Sequence, residues 1–408
     1  WPRIDVVAQT RIDQRRLNIR GHVGPLAAIR TGRDLALDFS LAEDTDLTGT
    51  LTGTLARLDG LAGSHFQAQL TGKRLAALHP GLPAQPFSAK ARIQGKAGQL
   101  DLLAIKASSA GSDVSGDVRI GLGERLRIDA NLNADTLDLT PFLARSPDPA
   151  PAPKQTEALP LEGLKALDGS LKLSASNVQI DDFEIDDGTL DARLDAGHLV
   201  LSANAAEGGL SLDLELQPGQ TDWQFNLHHK GKLNLGRLIK AKNQQTLSDV
   251  PVAVEMRLSG VGASMPALLS SANGRMELVL GAGQLDRKAS KLPFGGVVVS
   301  LLDTVNPTQL STVRVRKDLL SLQCAVLQFD IADGIATSKR GLALQTDKLN
   351  VLGGGAIKLE TEEIELRFKT VKRTGVGLSL LGVADRFVIV DGTLRHPHAT
   401  IDKGDLLV

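Results

Sequence analysis

Apolar and polar residues alternate with period two over much of this chain, in short runs punctuated by Gly, Asp and Asn. The clearest run sets Leu210, Leu212, Leu214 and Leu216 against Ser211, Asp213 and Glu215. Successive side chains of a strand point to opposite faces, so such a run makes a strand with one apolar and one wet side. The same period recurs in Leu171 and Leu173, in Leu190, Ala192 and Leu194, and in Leu199, Leu201 and Ala203. It returns near the C-terminus in Ile357 and Leu359, then in Ile364, Leu366 and Phe368. The breaks carry hairpin chemistry: Asp195-Ala196-Gly197, Gly-Leu-Gly-Glu at 121–124, Gly-Lys-Ala-Gly at 95–98, Pro218-Gly219, Asp333-Gly334 and Asp391-Gly392. The spacing predicts roughly 20 to 25 strands, joined by short turns and therefore antiparallel.

Helix signals are few. Lys73–His79 and Asn234–Asn243 suit about two turns each. Met265–Ser271 suits another, with Ser264 as its N-cap. Leu292–Leu302 reads as one apolar helix with Pro293 tolerated in its first turn. Strands do not alternate with helices, which excludes a doubly wound α/β fold. Residues 145–154 hold four of the 17 prolines. The segment 145–160 therefore reads as an extended linker or solvated loop between residues 1–144 and 161–408. Gly stands just before an alternating strand at Gly111, Gly169 and Gly274, at irregular spacing, as though one hairpin unit had been added repeatedly.

Composition narrows the function classes. The chain has 408 residues, with 46 basic against 47 acidic, for a net charge of −1. That balance disfavours a nucleic-acid partner, which needs a basic surface to displace phosphate counterions. There are ten Phe, two Trp and no Tyr, too few aromatics for stacking platforms or for the girdles of an outer-membrane barrel. No apolar run reaches the ~20 residues of a spanning helix. The chain starts at Trp1 rather than Met, which reads as a processed or truncated N-terminus from which any signal or anchor segment would have been lost.

Catalytic chemistry is not written in the motifs. There is no phosphate-binding loop, His-Glu-x-x-His, Cys-x-x-Cys or Gly-x-Ser-x-Gly. Gly281-Ala282-Gly283 lacks the third glycine of a dinucleotide loop. His396 and His398 share one side of a strand but read as a polar strand end, and His228 and His229 point to opposite faces. Asp181, Asp182, Glu184, Asp186 and Asp187 match a calcium loop poorly; the reading is an acidic outer face that turns at Asp187-Gly188. Alternation places Cys324 with Leu320, Leu322 and Val326 as a buried thiol. The expectation is a protein that is not an enzyme, with no cofactor and no metal.

Several stretches resemble the strand motifs of AsmA-like bacterial envelope proteins. They are Gly111–Ile120, Leu167–Ile180 with Gly188–Leu194, and Leu17–Leu26. The C-terminal stretch is similar too: Asp333–Ser338, Gly353–Leu359 and Asp391–Pro397. The resemblance implies a mainly β fold, an elongated and curled antiparallel sheet forming a groove, with a few short helices. It implies a periplasmic protein held to the inner membrane by an N-terminal helix that this sequence lacks. It also implies a phospholipid or other acyl-chain lipid as cargo, transfer between inner and outer membranes, and envelope proteins as neighbours.

The residues alone leave two outcomes open. If apolar faces meet, the product is a sandwich with a dry core, suited to a structural or interaction scaffold. If the sheet curls without closing, the faces line a trough; 20 strands at ~4.8 Å spacing would extend about 100 Å. With the resemblance, the trough is the expectation. Its lining would be Leu171, Leu173, Leu190, Leu194, Leu199, Leu201, Leu210, Leu212, Leu214, Ile357, Leu359, Leu366 and Phe368.

Overall fold

A computed structural model describes residues 3–12, 15–43, 47–78, 82–143, 161–180, 183–206, 209–234, 250–286, 295–305, 319–347, 349–372, 387–394 and 396–401. The chain is mainly β. Twenty-two strands fall in one mixed sheet that does not close into a barrel, and two more pair as a separate ribbon. Contacts divide the chain into two compact units, residues 1–152 with 161–203, and 153–160 with 204–408.

The first unit is built from β1 (Ile4–Ile12), β2 (Arg15–Gly24), β3 (Arg33–Glu43), β4 (Leu47–Arg57), β5 (His65–Gly72), β6 (Phe87–Lys96), β7 (Gln99–Ser109), β8 (Ser112–Leu122), β9 (Leu126–Asp138), β10 (Leu167–Ile180) and β11 (Phe183–Asp195). Each strand from β1 to β9 pairs antiparallel with the next in sequence. The exception to hairpin succession is β9 with β10, which pair in parallel, Leu126 to Leu167 through Asp138 to Gln179. The chain must cross back over the length of a strand between them, and the Pro-rich segment lies in that crossover, outside the described residues. Its two sides therefore belong to one unit. This differs from the division that proline content predicts, because β9 and β10 hydrogen-bond directly to each other. Two short helices, α1 (Leu26–Thr31) and α2 (Thr140–Leu143), fill connections.

The strand β12 (His198–Ala205) spans the division. The second unit holds β13 (Leu210–Pro218), β14 (Trp223–Asn234), β15 (Pro251–Gly262), β16 (Asn273–Leu280), β17 (Gly283–Asp286), β18 (Leu319–Leu322), β19 (Cys324–Ala332), β20 (Ile335–Gln345), β21 (Leu349–Lys358), β22 (Glu363–Lys372), β23 (Phe387–Thr393) and β24 (Pro397–Ile401). The order is again sequential, except that β16 pairs with β19 while β17 and β18 form the separate ribbon. Two helices join it, α3 (Met265–Ser270) and α4 (Gly295–Val305).

Local chemistry explains most boundaries. The Ser264 hydroxyl accepts from the Ala267 amide and caps α3 as its sequence predicts. Asp333 and Gly334 both take left-handed φ values, 47° and 72°, and turn β19 into β20. A Cβ on Gly334 would lie 2.7 Å from the Leu269 carbonyl oxygen, so only glycine fits that turn. Two expected turns are not turns. β11 runs through Asp187-Gly188, and β23 through Asp391-Gly392. β10 and β11 instead pair as far as Ile180 and Phe183, and Asp181 and Asp182 lie outside the described residues. The predicted helix at 73–79 is a single 3-10 turn, Leu75–Ala77, and the one at 234–243 lies outside the described residues save for Asn234, which ends β14.

Candidate apolar face

The two units treat the same alternation differently. In the first, cross-strand registers gather the apolar residues into rows on one face. Leu173 sits between Leu132 and Leu190, and Leu171 between Ala130 and Ala192. Leu51 sits between Phe39 and Ala68, and Ile93 between Phe66 and Leu102. From β4 to β11 these central positions, Phe66 apart, are half-buried, while the intervening polar side chains are mostly exposed. The buried apolar side chains described in this unit are Leu35, Leu47, Phe66, Phe87, Ala134 and Ala175. No packed second layer seals the centre of this face among the described residues. Among the described residues, its central side chains are half-buried where those of β19 to β23 are buried.

The second unit changes along its length. On β13 to β16, Leu212, Leu214, Leu227, Val254 and Leu258 remain half-buried, like the first unit's face. From β19 to β23 the inward positions are sealed: Phe329, Ile357, Leu366 and Val390 are each 0% exposed. The helix α4 contributes Val297, Val298, Val299 and Leu301 to the same cluster and packs against β18, β23 and β24. Three consecutive buried valines mean that apolar surroundings meet more than one side of this helix. Gly353 completes the fit, since a Cβ there would lie 2.4 Å from the Phe368 ring.

The expected lining residues therefore separate into two groups. Leu171, Leu173, Leu190 and Leu194 lie on the open face of the first unit, half-buried, and Leu199 and Leu201 on β12 are half-buried too. Leu210, Leu212 and Leu214 lie on the half-exposed part of the second unit. Ile357, Leu366 and Phe368 are locked in the sealed core, and Leu359 packs against its margin. In this conformation those four face protein, so the C-terminal strands supply a core where a lining was expected. The expected lining left out β3 to β8 and β14 to β16, although β8 and β16 are read as strands and a hairpin is expected at 95–98. Glycines at inward positions, such as Gly49 and Gly53, interrupt the leucine period in the former, and mixed Phe, Val, Met and His hide it in the latter. Only the register reveals both.

Other candidate groups stay apart. Cys324 is exposed, against expectation: the alternation restarts at Gln323, and Ala325 and Leu327 point inward instead. His398 lies 3.7 Å from Asp391 on an exposed strand end, with His396 exposed nearby. Among the described residues no three His, Cys, Asp or Glu side chains converge as a metal set. A cleft of about 540 Å³ lies against β5 to β9, and its polar lining, including Ser88, Lys90, Lys106 and Asn133, belongs to the wet face. On that face Asp101 is 5% exposed, and hydrogen bonds from Lys96 and Gln99 hold its carboxyl below the usual carboxylate range. No helix among the described residues is long and apolar enough to cross a membrane.

The fold and its face define a class: an open sheet built by successive hairpins, apolar on one side. The AsmA family protein YhjG of Escherichia coli (strain K12) is 24% identical over 167 residues. The match covers 40% of this chain and 22% of that relative. Over that part of its length the chain is similar to a member of the AsmA family. No family model and no solved structure matches it.

Proposed function

We propose that this protein shields the acyl chains of phospholipid or a similar lipid on its apolar β-face, as a non-enzymatic carrier in the bacterial envelope. The carrying observation is the half-exposed apolar face of the first unit, continuous over successive strands and bordered by polar side chains. Such a surface is costly in water. Covering it with a 16-carbon chain at ~0.8 kcal/mol per methylene removes on the order of 12 kcal/mol of unfavourable hydration from the chain alone. A membrane offers a similar gain, so movement between bilayer and face is close to isoenergetic. Leucine, alanine and valine suit passage because they offer no polar group that would hold a headgroup at one place. The AsmA-like assignment supports the envelope setting, and from it follow the expectations of a periplasmic location, an inner-membrane anchor and a part in outer-membrane biogenesis. For β19 to β23 the sealed core favours a structural role instead.

Native mass spectrometry of detergent-free protein tests the reading. The expected result is co-purifying acyl-chain lipid, reduced at least severalfold in Leu173→Asp and unchanged in Thr50→Asp on the wet face. Repeated lipid-free preparations, or a folded Leu173→Asp protein carrying as much lipid as the parent, would overturn it.

A further inference from the structure

One row on the open part of the second unit differs from all its neighbours. Across β13 to β16 and on to β19 it reads Leu212, His229, Met256, Met276, Phe329, each the register partner of the next. The chain has only three methionines, and two of them face each other here, beside the one imidazole among the described inward positions of this unit. His229, Met256 and Met276 are all half-buried, and Met276 packs against the margin of the sealed core.

The histidine is already oriented. Its Nδ1 lies 2.8 Å from the Ser211 carbonyl oxygen. A carbonyl only accepts, so Nδ1 carries the hydrogen and Nε2 keeps its lone pair. A backbone carbonyl fixing the far nitrogen is the usual outer support of a metal-bound histidine. The span also fits. His229 and Met276 are two strand spacings apart, about 10 Å, with Met256 between them. A site here requires the imidazole and the Met276 thioether to lean in from either side over the Met256 sulfur.

We infer that His229, Met256 and Met276 form a binding site for a soft monovalent cation, Cu(I) or its redox-inert substitute Ag(I). Thioethers and imidazole select soft ions, whereas Mg(II), Ca(II) and Mn(II) prefer carboxylate and carbonyl oxygen. The inward positions of β13 to β16 hold no carboxylate or thiolate that would recruit a harder ion. The apolar surroundings favour a monovalent ion held by neutral ligands over a divalent one, which would bring more uncompensated charge. The alternative role for these methionines is packing, with Met276 laid against buried Phe329.

The test uses the full chain carrying Cys324→Ser, which removes the exposed thiol as a competing ligand. Ag(I), and separately Cu(I) under anaerobic conditions, is titrated against a competing chelator. One equivalent is expected, with Met256→Leu, Met276→Leu and His229→Gln each weakening affinity at least tenfold. Leucine matches methionine in volume and already dominates this face, so the Leu variants keep the fold. As a second readout, Ag(I) should shift the methyl resonances of Met256 and Met276 and leave that of Met265 in place. No retained metal, affinity indifferent to all three variants, or a shift confined to Met265 would overturn the site and leave the thioethers as packing alone.

Discussion

Leu173 and Leu366 are the same residue in the same local pattern, yet one is half-exposed and the other 0% exposed. The difference lies in what covers them, so their truncations should differ. Leu366→Ala should cost about 2–5 kcal/mol, as a cavity opens in a filled core, and Leu173→Ala about 1 kcal/mol or less. Urea denaturation of the two variants measures this; equal costs would mean that the first unit's face is sealed after all. Asp101 gives a pH-dependent counterpart. Its depressed carboxyl stabilises the fold fully above the unfolded carboxylate pKa of about 3.9, and that contribution disappears as pH falls through the lower folded value. Asp101→Asn should therefore cost about 1 kcal/mol at pH 7 and progressively less below pH ~4, read from denaturation midpoints across that range. Residue-level reading of the sequence found the alternation but not the covering, because nothing near Leu366 in sequence announces the helix at 295–305 that helps to seal its cluster. Cys324 was misplaced for a related reason: a one-residue reset at Gln323 reverses every facing that follows.

Among the elements, α4 is the one whose existence owes least to its own residues. Gly295, Gly296 and three successive valines are poor helix formers, so the helix is held by burial. Val298 is 3% exposed, and Val298→Asp would place an unpaired carboxylate among aliphatic side chains. The expected loss is about 3 kcal/mol or more, seen in thermal or urea unfolding, with β19 to β23 losing protection in hydrogen exchange. A variant as stable as the parent would mean that α4 can leave the cluster freely. By contrast α3 was legible throughout, since its cap, its proline and its apolar residues all lie within one short segment. Strand existence was equally plain in β10 to β13, where leucine and alanine keep the alternation, and faint in β4, where glycine takes alternate inward places.

At the scale of the whole molecule, hairpin succession was readable and the exceptions to it were not. The crossover between β9 and β10 and the detachment of β17 and β18 both depend on hydrogen bonds between distant segments. The sequential pairing itself has a consequence for ancestry. Within β1 to β9 a strand hydrogen-bonds only with the strand before it and the strand after it, so an added or deleted hairpin there leaves every other residue facing the same way. Such a sheet can lengthen or shorten by tandem duplication without redesign. The parallel seam at β9–β10 is where that freedom stops, because a duplication ending there would have to bring its own return path.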